Sequence, residues 1–202
     1  MTKCSPPHTH RAARRGTAIL AALAATAALA AGTACSPGST IRIPATAPAS
    51  AGATAAPTMP PNLDGPYPVT RVIDGDTLTI TRNGDTERIR LIGVDTPELH
   101  DPRKPVECYA QQASDYTKSL QEQQIYLETD PTQDSIDRYG RTLAYVWTEA
   151  RRLINYDLIA EGYAHEYTYN DPYRYQSKFR AAQQHAQSAQ SGLWAPDNCP
   201  SN

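Results

Sequence analysis

The sequence lacks the features that mark several large classes of protein. It has four cysteines and five histidines in 202 residues, and none of those after residue 35 form the closely spaced pairs that zinc sites use. Hydrophobic residues make up 40% of the chain and charged residues 20%, which excludes both a wholly disordered chain and a membrane protein with several spans. No internal repeat is visible, and the length allows one or two domains.

Positive charge is scarce where the folded part is expected. Residues 1–65 hold five of the 19 basic side chains and one of the 21 acidic ones, so residues 66–202 hold 14 basic and 20 acidic side chains. The resulting net charge of −6 excludes a broadly basic surface for binding nucleic acids. Any basic site in this part of the chain must be local.

The first 35 residues have the pattern of a secretory signal peptide. Four basic residues stand near the start, and residues 16–34 form an uncharged stretch rich in Ala and Leu, in which Ala-x-Ala cleavage patterns recur. A membrane anchor is the alternative, but this stretch is only weakly hydrophobic. The sequence therefore predicts export, and the Arg14-Arg15 pair is compatible with the twin-arginine route.

Cys35 follows Gly32-Thr33-Ala34, which resembles the small residues before the acylated cysteine of a bacterial lipoprotein. The large aliphatic residue that usually stands three positions before that cysteine is replaced by Gly32. Two outcomes stay open: lipid anchoring at Cys35 on the cell surface, or cleavage and release outside the cell. Residues 36–65 are rich in Pro, Ala, Ser and Thr and are predicted to be a flexible linker.

Cys108 and Cys199 are the two cysteines that remain in the exported part of the chain. An oxidising environment favours a disulfide between them, which would stabilise the domain by roughly 4 kcal/mol in the chain-entropy model. Two unpaired thiols are the alternative.

Residues 66–199 are expected to form one α+β domain, and residues 200–202 a short tail. Short strands come first and helices are interleaved later, which indicates a small antiparallel barrel or sheet. Asn83-Gly84 predicts a tight hairpin turn between two of the strands. Strands are predicted at 69–73, 77–81, 86–94, 125–128, 141–147 and 164–169, and helices at about 106–120, 153–161 and 172–191.

Three polar clusters carry the candidate chemistry. They are Asp74-Gly75-Asp76-Thr77, the segment from Arg90 to Glu98, and Asp137-Arg138-Tyr139-Gly140-Arg141. Asp76, Asp95 and Glu98 offer hard oxygen ligands, which would repel each other if they converged without a cation such as Ca²⁺. Arg90 and Arg141 are each able to grip a phosphate through two hydrogen bonds.

A cation, a carboxylate and two guanidinium groups are the parts that phosphodiester hydrolysis needs. Each cluster alone has a simpler explanation: a turn for Asp-Gly-Asp, a helix N-cap for residues 95–98, and surface ion pairs for the two arginines. All three together, in this order, favour a hydrolytic site.

These clusters resemble, in order, the motifs of the staphylococcal nuclease (thermonuclease) family. The resemblance runs from about Val69 to Trp194 and includes Leu143-Ala144-Tyr145 and the terminal Gly192-Leu193-Trp194. It implies a five-stranded OB-fold β-barrel with three α-helices. It also implies a Ca²⁺-dependent endonuclease that hydrolyses DNA and RNA and leaves 3′-phosphate ends.

The resemblance assigns roles to the acidic residues. Asp76 and Asp95 would bind Ca²⁺ through their side chains, and Thr96 through its backbone carbonyl. Glu98 would hold the attacking water and act as the general base.

The resemblance also assigns the groups that contact the substrate. Arg90 would bind the scissile phosphate, and Arg141 would stabilise the transition state and the leaving oxygen. Tyr139 and Tyr167 match tyrosines that line the nucleotide pocket of the family, and Tyr169 flanks that pocket.

Arg138, beside this pocket, and Lys104, in the loop after Glu98, are further candidates for substrate binding. The acidic domain departs from the strongly basic archetype of the family, and phosphate neutralisation supplies most non-specific affinity for duplexes. We therefore expect a preference for single-stranded or frayed DNA and RNA. The protein is also expected to be a monomer. The alternative is a catalytically silent OB-fold module that binds nucleic acid or another ligand, but such a module would be expected to lack Arg90, Glu98 or Arg141.

Overall fold

The computed structural model describes residues 55–100, 102 and 104–199. The predicted signal peptide (1–35), the lipidation candidate Cys35, most of the predicted linker and the tail (200–202) lie outside the described residues. Within the part that is described, no helix is both long enough and apolar enough to cross a membrane.

Seven strands and three helices make up the described domain. The strands are β1 (Asp64–Asp74), β2 (Thr77–Arg82), β3 (Asp85–Leu91), β4 (Val94–Asp95), β5 (Gln124–Glu128), β6 (Thr142–Thr148) and β7 (His165–Glu166). The helices are α1 (Ala110–Lys118), α2 (Ile154–Ala160) and α3 (Gln176–Ser188), and a 3₁₀ turn follows at Gly192–Trp194.

Five of the strands close into a barrel in the order β1-β2-β3-β6-β5. β3 and β6 run parallel, and the other neighbouring barrel strands are antiparallel. β4 and β7 form a separate two-stranded sheet. The predicted α+β class, with a five-stranded OB-fold barrel and three helices, is confirmed.

The β2–β3 hairpin of the barrel forms because both strands alternate apolar and polar residues around a tight turn. Ile89 and Leu91 of β3 are buried while their neighbours are more exposed, and Trp147 is the largest fully buried side chain. Asn83 and Gly84 both have positive φ, 51° and 93°, as the predicted type I′ turn between β2 and β3 requires.

A buried asparagine of α2 holds the turn that follows β3. The Asn155 side-chain amide donates to the carbonyl oxygens of Ile92 (3.0 Å) and Ala144 (3.3 Å), and its oxygen accepts the N–H of Val146 (2.8 Å). Because this turn is tied to β6, the residues on either side of it, at the ends of β3 and β4, have fixed positions.

The domain begins earlier than the predicted boundary at residue 66. β1 starts at Asp64, and Met59 and Leu63 pack against the core as partly buried side chains. This apolar contact brings the last residues of the predicted linker into the fold.

Two helices start later than their apolar spacing predicted. α1 begins at Ala110, because Tyr109 has a φ of 68° that no α-helix contains, and Val106 is 63% exposed. α3 begins at Gln176, because Tyr175 before it has φ −101° and ψ 9°, outside the α-helical range.

Cys108 and Cys199 form a disulfide between residues 91 positions apart. The predicted pairing is therefore present, and it joins the segment before α1 to the segment after the 3₁₀ turn.

Candidate active site

A cleft of about 720 Å³ lies between the turn after β3, the loop before β6 and the segment after β7. Eight of the residues predicted for catalysis, metal binding or substrate binding line it: Arg90, Asp95, Glu98, Arg138, Tyr139, Arg141, Tyr167 and Tyr169. The barrel therefore brings the second and third sequence clusters together at one opening.

Arg90 joins the first cluster to the second. Its Nη2 lies 3.1 Å from Asp76 Oδ2 and 3.5 Å from Asp95 Oδ1. Its Nη1 donates to the carbonyl oxygens of Leu91 (2.9 Å) and Val94 (2.6 Å). One guanidinium group thus neutralises two carboxylates and also closes the turn between β3 and β4.

The Asp-Gly-Asp turn packs closely against Thr96. A Cβ atom at Gly75 would lie 2.7 Å from Thr96 Cγ2, so a residue without a side chain is needed there. The N–H of Thr96 donates to Asp76 Oδ2 at 3.3 Å, and the hydroxyl of Thr77 donates to Asp76 Oδ1 at 2.9 Å. The buried Asp76 carboxylate is therefore held from three sides by donors, Arg90 included.

Two of the predicted metal ligands, Asp76 and Asp95, lie beside Arg90. Among the described residues, no three His, Cys, Asp or Glu side chains surround a common point at the spacing of a metal site. The predicted set has only two carboxylates, those of Asp76 and Asp95. One oxygen of each lies within 3.5 Å of Nη2 of Arg90, so these two oxygens are close neighbours. The third predicted ligand is a backbone carbonyl. All three donors are hard oxygens, which suits Ca²⁺.

Negative charge is concentrated at this point of the cleft. Burial, together with the smaller effects of the nearby carboxylates of Asp74 and Asp76, raises the pKa of Glu98 to about 7. Burial also raises the pKa of Asp95 against the lowering effect of Arg90. A bound cation would offset this excess of negative charge.

Asp137 orients the Arg141 guanidinium. Nε and Nη2 of Arg141 lie 2.7 and 2.6 Å from Asp137 Oδ2, and the other oxygen accepts the N–H groups of Arg141 and Tyr139, each at 2.9 Å. Burial alone would raise the pKa of Asp137, but these hydrogen bonds outweigh it and lower the pKa. The Nη1 edge of Arg141 lies 3.4 Å from the hydroxyl of Thr77, on the side of the first cluster.

Exposed aromatic rings form another part of the cleft lining. Tyr139, Tyr167 and Tyr169 are 58%, 44% and 64% exposed. The guanidinium groups of Arg138 and Arg141 lie 4.8 and 5.2 Å from the ring centroid of Tyr139. Lys104, in contrast, lies outside the cleft lining and pairs with Glu107 at 3.4 Å, so its role in substrate binding stays a prediction.

Sequence patterns did not identify Asp130, the acidic residue that holds two of the cleft loops. Asp130 accepts the N–H of Arg174 (2.7 Å), the hydroxyl of Tyr145 (2.7 Å) and both the N–H and the hydroxyl of Thr132 (3.0 and 2.8 Å). Burial acts to raise the pKa of Asp130, but these four donors hold it below its ordinary value. The loop before β6 is thereby tied to the segment before α3.

Comparison with known proteins places the chain in a family. Residues 88–196 match the family described as "Staphylococcal nuclease homologue". The thermonuclease of Staphylococcus hyicus is 44% identical over 130 residues, which are 64% of this chain and 75% of that protein. The thermonuclease of Staphylococcus intermedius is 45% identical over 129 residues, 63% of this chain and 75% of that protein. Endonuclease YncB of Bacillus subtilis (strain 168) is 35% identical over 134 residues, 65% of this chain and 63% of that protein.

These names agree with the predicted class, a hydrolase that cleaves nucleic acids. Because the family match spans more than half of the chain and the two thermonucleases are matched over three quarters of their length, this chain belongs to the staphylococcal nuclease family.

Proposed function

We propose that this protein is an exported endonuclease that hydrolyses phosphodiester bonds of DNA and RNA in the presence of Ca²⁺ and leaves 3′-phosphate ends. The observation that carries the proposal is one cleft that presents two guanidinium groups, Arg90 and Arg141, together with the carboxylate of Glu98. Such a set serves to neutralise phosphate charge and to activate water.

The proposed cation site consists of the Asp76 and Asp95 side chains and the Thr96 carbonyl. A cation bound there would supply a fixed positive charge against the phosphate. Arg90 contacts both carboxylates, so a phosphate oxygen that reaches its guanidinium group is brought beside the proposed site.

Glu98 and Arg141 are proposed to act on the water and on the transition state. The Glu98 carboxylate lines the cleft and would take the proton of the attacking water. Asp137 engages Nε and Nη2 of Arg141, so the Nη1 edge, which lies 3.4 Å from the Thr77 hydroxyl, is the one that would donate to the phosphate as charge develops.

The cleft lining supports a preference for single-stranded or frayed substrate. Bases of a single strand are able to stack on the exposed rings of Tyr139, Tyr167 and Tyr169. Asp134 and Asp171 are exposed and line the same cleft, and neither forms an ion pair with a described Lys or Arg. Their charges would repel the second backbone of a duplex.

The remaining parts of the proposal concern location and assembly. Export through the signal peptide at 1–35, the linker predicted at 36–65, whose last residues belong to the fold, and a monomeric enzyme are proposed from the sequence. Lipid anchoring at Cys35 and release after cleavage remain the two alternatives, and the electrophoretic shift of a Cys35→Ala variant would distinguish them.

The test is a cleavage assay with the disulfide-intact protein on single-stranded DNA, duplex DNA and RNA, with Ca²⁺ or with EGTA. Glu98→Ala should lower kcat by about 10²-fold or more, whereas Glu149→Ala, a matched change at an exposed glutamate, should leave it unchanged. Products with 3′-phosphates should become primers for a polymerase only after phosphatase treatment. Binding without cleavage would instead identify the silent OB-fold module.

A further inference from the structure

A pair of contacts that the proposed reaction does not use fixes the backbone of Glu98. The N–H of Glu98 donates to Oε2 of Glu107 at 3.0 Å, and the N–H of Glu107 donates to the carbonyl oxygen of Glu98 at 3.0 Å. The two residues are nine positions apart, so these bonds join the two ends of the loop between them.

The end of this loop is anchored to the body of the domain by the neighbouring disulfide. Cys108 directly follows Glu107 and is bonded to Cys199. The N–H of Cys199 donates to the carbonyl of Ala195 at 3.2 Å, and the N–H of Leu193 donates to the carbonyl of Gly162 at 2.8 Å, just after α2. Cys199 is therefore held by contacts that do not involve the loop between Glu98 and Glu107.

A second cavity lies between the proposed metal-binding segment and this anchor. It has a volume of about 290 Å³, and its lining includes residues 95–97 as well as Glu107, Cys108 and Cys199. On this side the segment that leads to Glu98 faces open space rather than packed side chains. Its position therefore depends more strongly on directional contacts such as the two hydrogen bonds to Glu107.

We propose that Glu107 is a positioning residue for Glu98 and that the Cys108–Cys199 disulfide holds Glu107 in the place where it does this. The inference rests on the proposed function, since it assigns Glu98 a part in the chemistry. Glu107 does not line the main cleft and acts through the backbone of Glu98. Its loss should lower kcat while the arginines and tyrosines still bind substrate, so KM should change little.

The kinetic test compares Glu107→Ala with Glu107→Gln. The alanine variant lacks the acceptor for the N–H of Glu98, and kcat should fall about tenfold or more with KM nearly unchanged. Glutamine keeps a side-chain oxygen at the same reach and should restore most of kcat. An alanine variant with the kcat of the parent protein, or a loss that appears only in KM, would overturn the proposal.

A combined variant separates positioning from a general structural effect. Once Glu98 has been replaced by alanine, Glu107→Ala should cause no further loss of the residual activity, because the group it positions is gone. If the combined variant lost activity by the product of the two separate losses, Glu107 would act on something other than Glu98. Cys108→Ser combined with Cys199→Ser should lower kcat in the same way at a temperature well below the melting temperature, and an unchanged kcat would remove the disulfide from the proposal.

Hydrogen exchange gives a readout that does not depend on activity. The amide of Glu98 should exchange faster in Glu107→Ala than in the parent protein, whereas the amides of β2 should not. Unchanged protection of the Glu98 amide in Glu107→Ala would refute the proposal that Glu107 holds the backbone of Glu98. If the parent protein did not cleave nucleic acid, the proposed function would fail, and the exchange data would still decide whether Glu107 holds Glu98.

Discussion

The two arginines of the cleft should differ in what their removal does to stability. Arg90 contacts the buried Asp76 and the carbonyl groups of Leu91 and Val94, and its own side chain is 14% exposed. Replacing it with alanine leaves a carboxylate that is only 9% exposed without its ion-pair partner. We therefore expect Arg90→Ala to destabilise the domain as well as to stop cleavage.

The size of each loss in the free energy of unfolding depends on how deeply the ion-pair partner is buried. Removing one member of a buried ion pair costs about 3–5 kcal/mol. The contact with Asp95 adds little, because that side chain is 52% exposed. For Arg141→Ala we expect a loss of about 1 kcal/mol, because Asp137 would still accept two backbone N–H groups. Each variant should lose cleavage by roughly 10³-fold, since each group is proposed to contact the charged phosphate.

Urea unfolding in EDTA, followed by near- and far-ultraviolet circular dichroism, is the assay for this difference. With a slope of about 1–3 kcal/mol/M, the unfolding midpoint of Arg90→Ala should fall by roughly 1 M or more, and that of Arg141→Ala by much less. Saturating Ca²⁺ should restore part of the stability of Arg90→Ala, because a cation that binds only the folded state stabilises it. Equal losses for the two variants, or no effect of Ca²⁺ on Arg90→Ala, would refute this reasoning.

Three further predictions concern the disulfide, acid stability and the tight turn. Replacing Cys108 and Cys199 with serine should cost about 4 kcal/mol and lower the melting temperature by roughly 10 °C or more; calorimetry showing an unchanged melting temperature would contradict this. Asp130 has a lowered pKa, so its contribution to stability is present above its unfolded pKa of about 4 and is lost as the pH falls further. Asp130→Asn should therefore flatten the loss of stability below about pH 4 in urea titrations, and a loss as steep as that of the parent protein would exclude this role. Gly75→Ala should push Thr96 away from the Asp-Gly-Asp turn, because the added Cβ would lie 2.7 Å from its side chain. The Ca²⁺ concentration for half-maximal cleavage should rise, and an unchanged value would argue against Thr96 as a ligand.

Local patterns predicted the barrel because its strands and turns are specified by neighbouring residues. Asn83-Gly84 forms the expected turn, and Ile89 and Leu91 face the core as their alternation indicates. The starts of α1 and α3 were wrong because the backbone conformation of the preceding residue decides them. Tyr109 has a φ of 68° and Tyr175 has φ −101° and ψ 9°, and apolar periodicity carries no information about either.

In the cleft, too, residues in short motifs were predictable from the sequence, whereas most residues that position them were not. The residues proposed to act on the substrate stand in short motifs, and eight of those predicted for the site line one opening. The residues that position them do not stand in recognisable patterns. Glu107 reaches Glu98 across nine residues through a backbone hydrogen bond, and no spacing rule identifies such a pair. Asp137 is an exception, because it stands four residues before Arg141, within the same motif.

The acidic composition of the domain is compatible with a polyanionic substrate because of where several of its carboxylates lie. Asp76 and Asp137 are each paired with a guanidinium group of the cleft, and Glu107 accepts a backbone N–H. These carboxylates hold two guanidinium groups and the backbone of Glu98, and their charges are partly neutralised where they stand. A short single strand held by two guanidinium groups and stacked tyrosine rings needs few phosphate contacts, so a net charge of −6 opposes its binding far less than it opposes binding along a duplex.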